Sequence, residues 1–268
     1  MALAPSNSYT GPVPLPDAAP GLAFIALVFL LAGFVKGMVG LGLPIVGVGL
    51  LSLVTTPQQA SALLVVPSMV TNVWQLLAGP GLGALARRLW PMMAGVCAGT
   101  WAGLWALGRL GWLTAAAATR AEGALGLALV LYAGLSLLRV QLPPPGRAER
   151  WAGPVVGALT GAVSSFTGVF AIPAVPYLAS LGLDRDELIQ ALGLSFTVST
   201  VALGAGLAAG GLFGAGAAGL SALAVLPAVA GLLAGGWLRG RVRPGTFRLC
   251  FLWGVAGLGL HLAVRGLA

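Results

Sequence analysis

Reactive side chains are scarce in this sequence. Its 268 residues include two cysteines, one histidine, one lysine (Lys36) and six acids. Cys97 and Cys250 stand apart, with no second cysteine or histidine at metal-ligand spacing, so they read as small core hydrophobes. His261 follows a Gly-Leu-Gly-Leu run near the C-terminus and reads as a helix-packing or interfacial residue. No nucleophile–base pair and no carboxylate pair lies inside an apolar run, which argues against an enzyme, a metal site or a cofactor. Charge is equally thin. Only 7% of residues are charged, against about 25% in a soluble domain. Residues 1–20 carry five prolines and no basic residue, so they read as an exposed tail and not as a secretory signal.

What is abundant is apolar length. Hydrophobic residues make up 58% of the chain, the mean hydropathy is +0.98, and apolar runs recur from end to end. These values imply an all-α, polytopic membrane protein. The net charge of +8 and a pI near 11.1 would suggest nucleic acid in a soluble protein. Here the basic residues fall in short loops between apolar runs, where they set orientation and meet anionic lipid, so nucleic acid is excluded as a partner.

The chain is organised around residues 33–44, a stretch holding Gly33, Gly37, Gly40, Gly42 and Pro44, inside an apolar run over 21–54. Glycine and proline remove packing and a hydrogen-bond donor, so a helix break is expected there. Lys36 lies in the same stretch. Irregular backbone at membrane depth survives only inside protein or beside a wet cavity, and with a cation it forms a place for an anion. The competing reading makes Gly33, Gly37 and Gly40 helix-packing contacts and lets Lys36 snorkel to the interface.

A turn over 55–59, with Pro57 suited to a first helical turn, precedes a helix over about 60–78. Asn72 and Gln75 share one face of it. Hydrocarbon gives their amides no partner, so they point inward, either to bind a ligand or to join helices. Spans are expected over about 91–107 and 121–138, with Glu122 favourable to a helix dipole. The most hydrophilic segment, 139–150, has three consecutive prolines and separates two halves.

The second half repeats the plan. Residues 157–173 break an apolar run with Ser164, Ser165, Thr167 and Gly168 and end in Pro173. An acidic turn over 183–187 leads to a helix over about 188–208 that contains Ser195 and Thr197, and spans over about 219–238 and 246–264 follow. The organisation expected is a Pro-rich tail (1–20), a first membrane repeat (21–138), a Pro/Arg linker (139–150) and a second repeat (151–268). If each broken stretch is a hairpin, there are ten passes, within an expected eight to ten membrane segments. One side then holds Lys36, Arg87, Arg88, Arg139, Arg147, Arg150, Arg185, Arg239, Arg241 and Arg243; the other holds Arg109, Arg120 and Arg265. The positive-inside rule makes the first side cytoplasmic. Five passes per half make the halves two inverted repeats.

The pattern from Gly33 through Gly37, Gly40 and Gly42 to Pro44, followed by Pro57-Gln58-Gln59-Ala60, resembles the TauE/SafE family of sulfite exporter-type permeases. The resemblance spans the whole chain in plan, with a looser second copy that has Ser164-Ser165-Phe166 where the family has glycines. It implies a multi-pass inner-membrane transporter for sulfite, sulfonates or related small organic anions. By position it implies substrate contacts at Lys36, Gly37, Gly40, Gly42 and Asn72, with Ser164, Ser165, Thr167 and Gly168 opposite. Gln75, Ser195 and Thr197 join this candidate set as inward polar residues. Expected partners are a small anion, the lipid bilayer, a coupling proton or cation, and a second copy in a homodimer. An anion channel and a structural or assembly subunit remain as alternatives.

Overall fold

Backbone polar groups find no partner in hydrocarbon, and the chain answers with helices: no strand occurs among the described residues. A computed structural model describes residues 18–41, 43–79, 81–109, 115–138, 140, 142–239, 241 and 244–267. In order these form α1 (Ala18–Val39), α2 (Leu43–Leu51), α3 (Pro57–Leu77), α4 (Leu82–Arg109) and α5 (Ala115–Leu137). After a short 3-10 turn come α6 (Glu149–Thr167), α7 (Ala174–Ser180), α8 (Arg185–Ala209), α9 (Ala215–Leu223), α10 (Val225–Arg239) and α11 (Pro244–Leu267). Among the described residues, six stretches are long and apolar enough to cross a membrane: Gly21–Val39, Pro57–Leu77, Thr119–Leu137, Arg185–Ala209, Ala215–Arg239 and Phe247–Gly266. The arms α2 and α7 have only 9 and 7 residues. They reach about 14 and 11 Å, less than half the hydrocarbon thickness of roughly 30 Å.

Local chemistry sets the starts. Thr56 caps α3 by accepting from the Gln59 amide while the Gln59 side chain accepts from the Thr56 amide, with Pro57 at the first helical position. Asp184 and Glu187 make the same box at α8. The first break is shorter than the glycines suggest. The helix runs through Gly33 and Gly37 to Val39, and only then does Gly40 turn to φ 81°. Gly168 ends α6 in the same left-handed conformation, at φ 69°. Each tip amide bonds the carbonyl four residues back, Gly40 to Lys36 and Gly168 to Ser164. The span expected over 219–238 is divided at Ala224, because Pro227 has no amide for the carbonyl of Leu223.

Glycines set the packing. A Cβ on Gly33 would lie 2.0 Å from the Ala228 carbonyl oxygen, and one on Gly37 2.2 Å from that of Leu232. From the other side, a Cβ on Gly231 or Gly235 would lie 2.0 and 2.1 Å from the carbonyl oxygens of Leu30 and Phe34 respectively. Thus α1 and α10 run parallel in backbone contact. The same holds for α4 and α6, where Gly95 meets Pro154, Gly99 meets Ala158 and Gly161 meets Val96. The pairs α3–α8 and α5–α11 are antiparallel, with Gly193 on Leu76 and Gly126 on Ala263. Exchanging the first five helices for their counterparts in the second half maps α1–α10 onto α6–α4 and leaves α3–α8 and α5–α11 as self-pairs.

Polar contacts mark the two ends of the bundle. At one end Arg88 pairs with Glu149 and bonds the Leu181 carbonyl, while Gln190 meets Leu76, Gly79 and Gly81. At the other end Arg265 meets Glu122 at 3.7 Å and the Leu53 carbonyl, so Glu122 has an ionic partner beyond the dipole expected for it. The outer surface is apolar, as a bilayer demands: Trp101, Trp105, Trp253 and many leucines are exposed. Cys97 and Cys250 also lie on this surface. They are not the core residues expected, because lipid accepts an apolar thiol as readily as a core does.

Two outcomes follow from this packing. Gly235→Ala should lower the melting temperature in detergent by roughly 5 °C or more, because overpacking costs about 1–3 kcal/mol. Gly236→Ala, whose Cβ would meet nothing within 4 Å, should leave it unchanged. Equal melting of the two variants would contradict the close α1–α10 contact. In a background lacking both cysteines, Arg147→Cys and Arg265→Cys should react with an impermeant thiol reagent from opposite faces of the membrane, since Arg147 precedes the start of α6 at one end of the bundle and Arg265 lies in the last turn of α11 at the other; labelling from one face would overturn this topology.

Candidate functional site

Helix α3 carries the polar face on which the site is built. Ser61, Ser68, Asn72 and Gln75 recur at helical spacing along it, and all are buried. Pro67 interrupts the helix and leaves the Leu63 carbonyl without its amide. Ser221 of α9 repairs the gap: its hydroxyl donates to Leu63 O at 2.8 Å and accepts from the Val66 amide at 3.0 Å. One turn later Thr71 donates to the Pro67 carbonyl at 2.8 Å, which leaves its oxygen lone pairs facing α1.

Lys36 fills that place. It is 4% exposed, so it does not snorkel, and its Nζ donates to Thr71 Oγ1 at 3.1 Å and to Asn72 Oδ1. Among the described residues it has no carboxylate partner. The ion pairs among the described residues join Arg88 to Glu149 and Arg265 to Glu122, both at the ends of the bundle. Asn72 spends its amide on Thr200 Oγ1 of α8 at 3.2 Å. Gln75 donates to the Ile189 carbonyl at 3.1 Å, while its Oε1 is buried with no partner.

Asn72 and Thr200 are separated by 128 residues. The same interval separates the tips Gly40 and Gly168 and the caps Thr56 and Asp184. The Asn72–Thr200 bond therefore joins equivalent positions of the two halves. By the same interval Lys36 corresponds to Ser164, whose hydroxyl turns to the Gly161 carbonyl of its own helix. The charge exists in one half only.

A cavity of about 660 Å³ opens beside Lys36, between α1, α3, α8 and α10. Lys36, Thr71 and Gln75 lie at its polar base, Gly37 and Gly40 border it, and Arg185 and Arg239 stand at its rim. Toward the opposite end the next space, lined by Ser61, Ser68, Gly168 and Thr200, holds only about 10 Å³. That is room for no more than one water.

The structure thus brings Lys36, Gly37, Gly40, Asn72 and Gln75 together. Gly37 also serves in helix packing. Gly42 lies outside the described residues. The second-half residues sit elsewhere. Ser165 donates to the Ala162 carbonyl and lies against Gly103 of α4, and Thr167 donates to Val163 O and accepts from the Val169 amide. Gly168 rests on Ser61, with the serine oxygen 2.0 Å from where a Cβ would be. Ser195 is buried without a partner, as are Ser68 and Ser199, and Thr197 is half-buried on the Gly193 carbonyl. Thr71, Thr200, Arg185 and Arg239 are absent from the sequence-based set. The i,i+4 spacing of Thr71 to Gln75 and the 128-residue interval from Asn72 to Thr200 are the signals that identify the first two.

The family model described as Sulfite exporter TauE/SafE matches residues 25–262. No curated protein and no solved structure matches the chain.

Asn72 tests the electrostatics directly. Asn72→Asp would place a carboxylate on the ammonium, so the melting temperature should hold or rise. Asn72→Leu strips Lys36 and Thr200 of partners and should lower it, since an orphaned buried polar group costs about 1–3 kcal/mol and a charged one more. A lower melting temperature for Asn72→Asp than for Asn72→Leu would show that Lys36 does not need an anionic partner.

Proposed function

This chain belongs to the TauE/SafE family of sulfite exporter-type membrane transporters, and from that premise we propose that it carries small anions, with the anionic group held at Lys36. Sulfite, sulfonates and related organosulfur or organic anions are the substrates this reading includes. The observation that supports it is the buried Lys36 ammonium, whose partners Thr71 and Asn72 are neutral. A buried charge without a counter-charge is expensive, and a bound anion offsets that cost where no side chain does. Thr71 and Asn72 orient the ammonium, and the free Oε1 of Gln75 awaits a proton-bearing group.

The carrier reading is favoured over a channel by the shape of the interior. The wide cavity reaches the arginine-rich end, whereas the path past Ser61, Ser68 and Gly168 is closed. An anion bound at Lys36 is accessible from one face alone. Exchange of the two halves between equivalent arrangements would reverse that access, with the Gly168–Ser61 contact opening and the Gly40 tip closing. The repeats are assigned to 21–138 and 151–268 on this basis.

Flux of labelled sulfite and short sulfonates into proteoliposomes of known orientation tests the function. Lys36→Ala should lower uptake at least tenfold at unchanged membrane insertion. Lys36→Arg should restore only part of it, because a forked guanidinium does not replace a compact ammonium between Thr71 and Asn72. Full activity in Lys36→Ala would remove Lys36 from the anion site.

A further inference from the structure

We propose that the substrate of this cavity is an organic anion with an apolar body, a sulfonate or carboxylate head carrying several methylenes, rather than a bare inorganic oxyanion. This rests on the anion-carrier reading and specifies its substrate class. The first ground is the distribution of polarity. The cationic groups that can face an anion lie at the base, at Lys36, and at the rim, at Arg185 and Arg239. Between them the walls are Val70, Leu188, Leu192, Val229, Leu232 and Leu233. Such walls cannot replace the water lost by an oxyanion, but they gain from contact with methylenes.

The second ground is size. A four-atom oxyanion displaces two or three waters, on the order of 100 Å³. The cavity holds about 660 Å³ and falls in the range of pockets that bury small organic ligands. The third ground is the opening. Trp74 and Trp237, at 68% and 63% exposure, and the exposed Val70 and Leu233 all border the cavity from α3 and α10. One wall is therefore continuous with the lipid-facing surface. An amphiphilic anion lying in the interface has its charge near the rim arginines and its chain already in the apolar layer. It can slide between α3 and α10 toward Lys36 without full dehydration of the chain in a separate step.

The experiment is a binding series on the full-length protein in nanodiscs of neutral lipid, with empty nanodiscs subtracted for partitioning. Sulfite and the linear alkanesulfonates from methanesulfonate to octanesulfonate are the probes. Affinity should rise about threefold to fourfold per methylene until the cavity is filled, and then level off. Lys36→Ala should weaken every member of the series. Val229→Trp, which occupies wall space, should flatten the dependence on chain length. Lys36-dependent binding of sulfite as tight as that of the longer sulfonates would overturn this inference and leave the carrier reading standing. Binding of the whole series that ignores Lys36 would overturn the anion site itself. A chain-length gain identical in Val229→Trp and in the parent protein would place the chains outside this cavity and also refute the proposal.

Discussion

Close contact between α1 and α10 determines where the only lysine can point. Gly33 and Gly37 on one helix and Gly231 and Gly235 on the other let backbone meet backbone. In a bilayer there is no hydrophobic drive to bring apolar helices together, so such contacts and interhelical hydrogen bonds supply the association. Once the glycine face of α1 is committed to α10, its rotation about its own axis is set. Lys36, adjacent to Gly37 but on a different face, is then directed at α3 and not at lipid. The cavity beside it exists because α1 is held there and its tip turns away at Gly40.

The polar groups of the interior form a chain of obligations that begins with one proline. Pro67 frees the Leu63 carbonyl, Ser221 takes it up, and Thr71 bonds the Pro67 carbonyl and so faces Lys36 with an acceptor. Each repair is needed because hydrocarbon offers no partner to a freed backbone group. Among the described residues, the buried hydroxyls of Ser68, Ser195 and Ser199 stay unpaired, as do those of Ser52, Thr100 and Thr160. Ser68 lies on α3 beside the closed passage at Gly168, and Ser195 and Ser199 lie on α8.

Pseudo-symmetry gives the two halves the same skeleton and different chemistry. The interval of 128 residues relates caps, tips and the Asn72–Thr200 pair. Yet Lys36 faces Ser164 across that relation, and Ser165 has been absorbed into the α4–α6 contact at Gly103. The two halves thus share a skeleton, and the charge belongs to the first alone. Two lysines there would repel each other and double the cost of burial.

Much was legible in the sequence because it depends on local chemistry or on solvent. Composition alone determined a helical membrane protein, since only helices or closed barrels satisfy the backbone in lipid. Thr56-Pro57-Gln58-Gln59 and Asp184 with Glu187 determined two helix starts, since caps are made by neighbours in the chain. The inward direction of Asn72 and Gln75 followed from the cost of an amide in hydrocarbon. Tertiary structure decided the rest. Glycine's local tendency to break a helix at Gly33 and Gly37 lost to the contact with α10, so the break moved to Gly40. The cysteines went outward because nothing local distinguishes a core from lipid. Thr200 and Arg185 reached the neighbourhood of Lys36 from more than a hundred residues away, through the antiparallel pairing of α8 with α3. Local sequence carries helix starts and solvent preference; which residues meet across helices depends on contacts that form only when the whole bundle has closed.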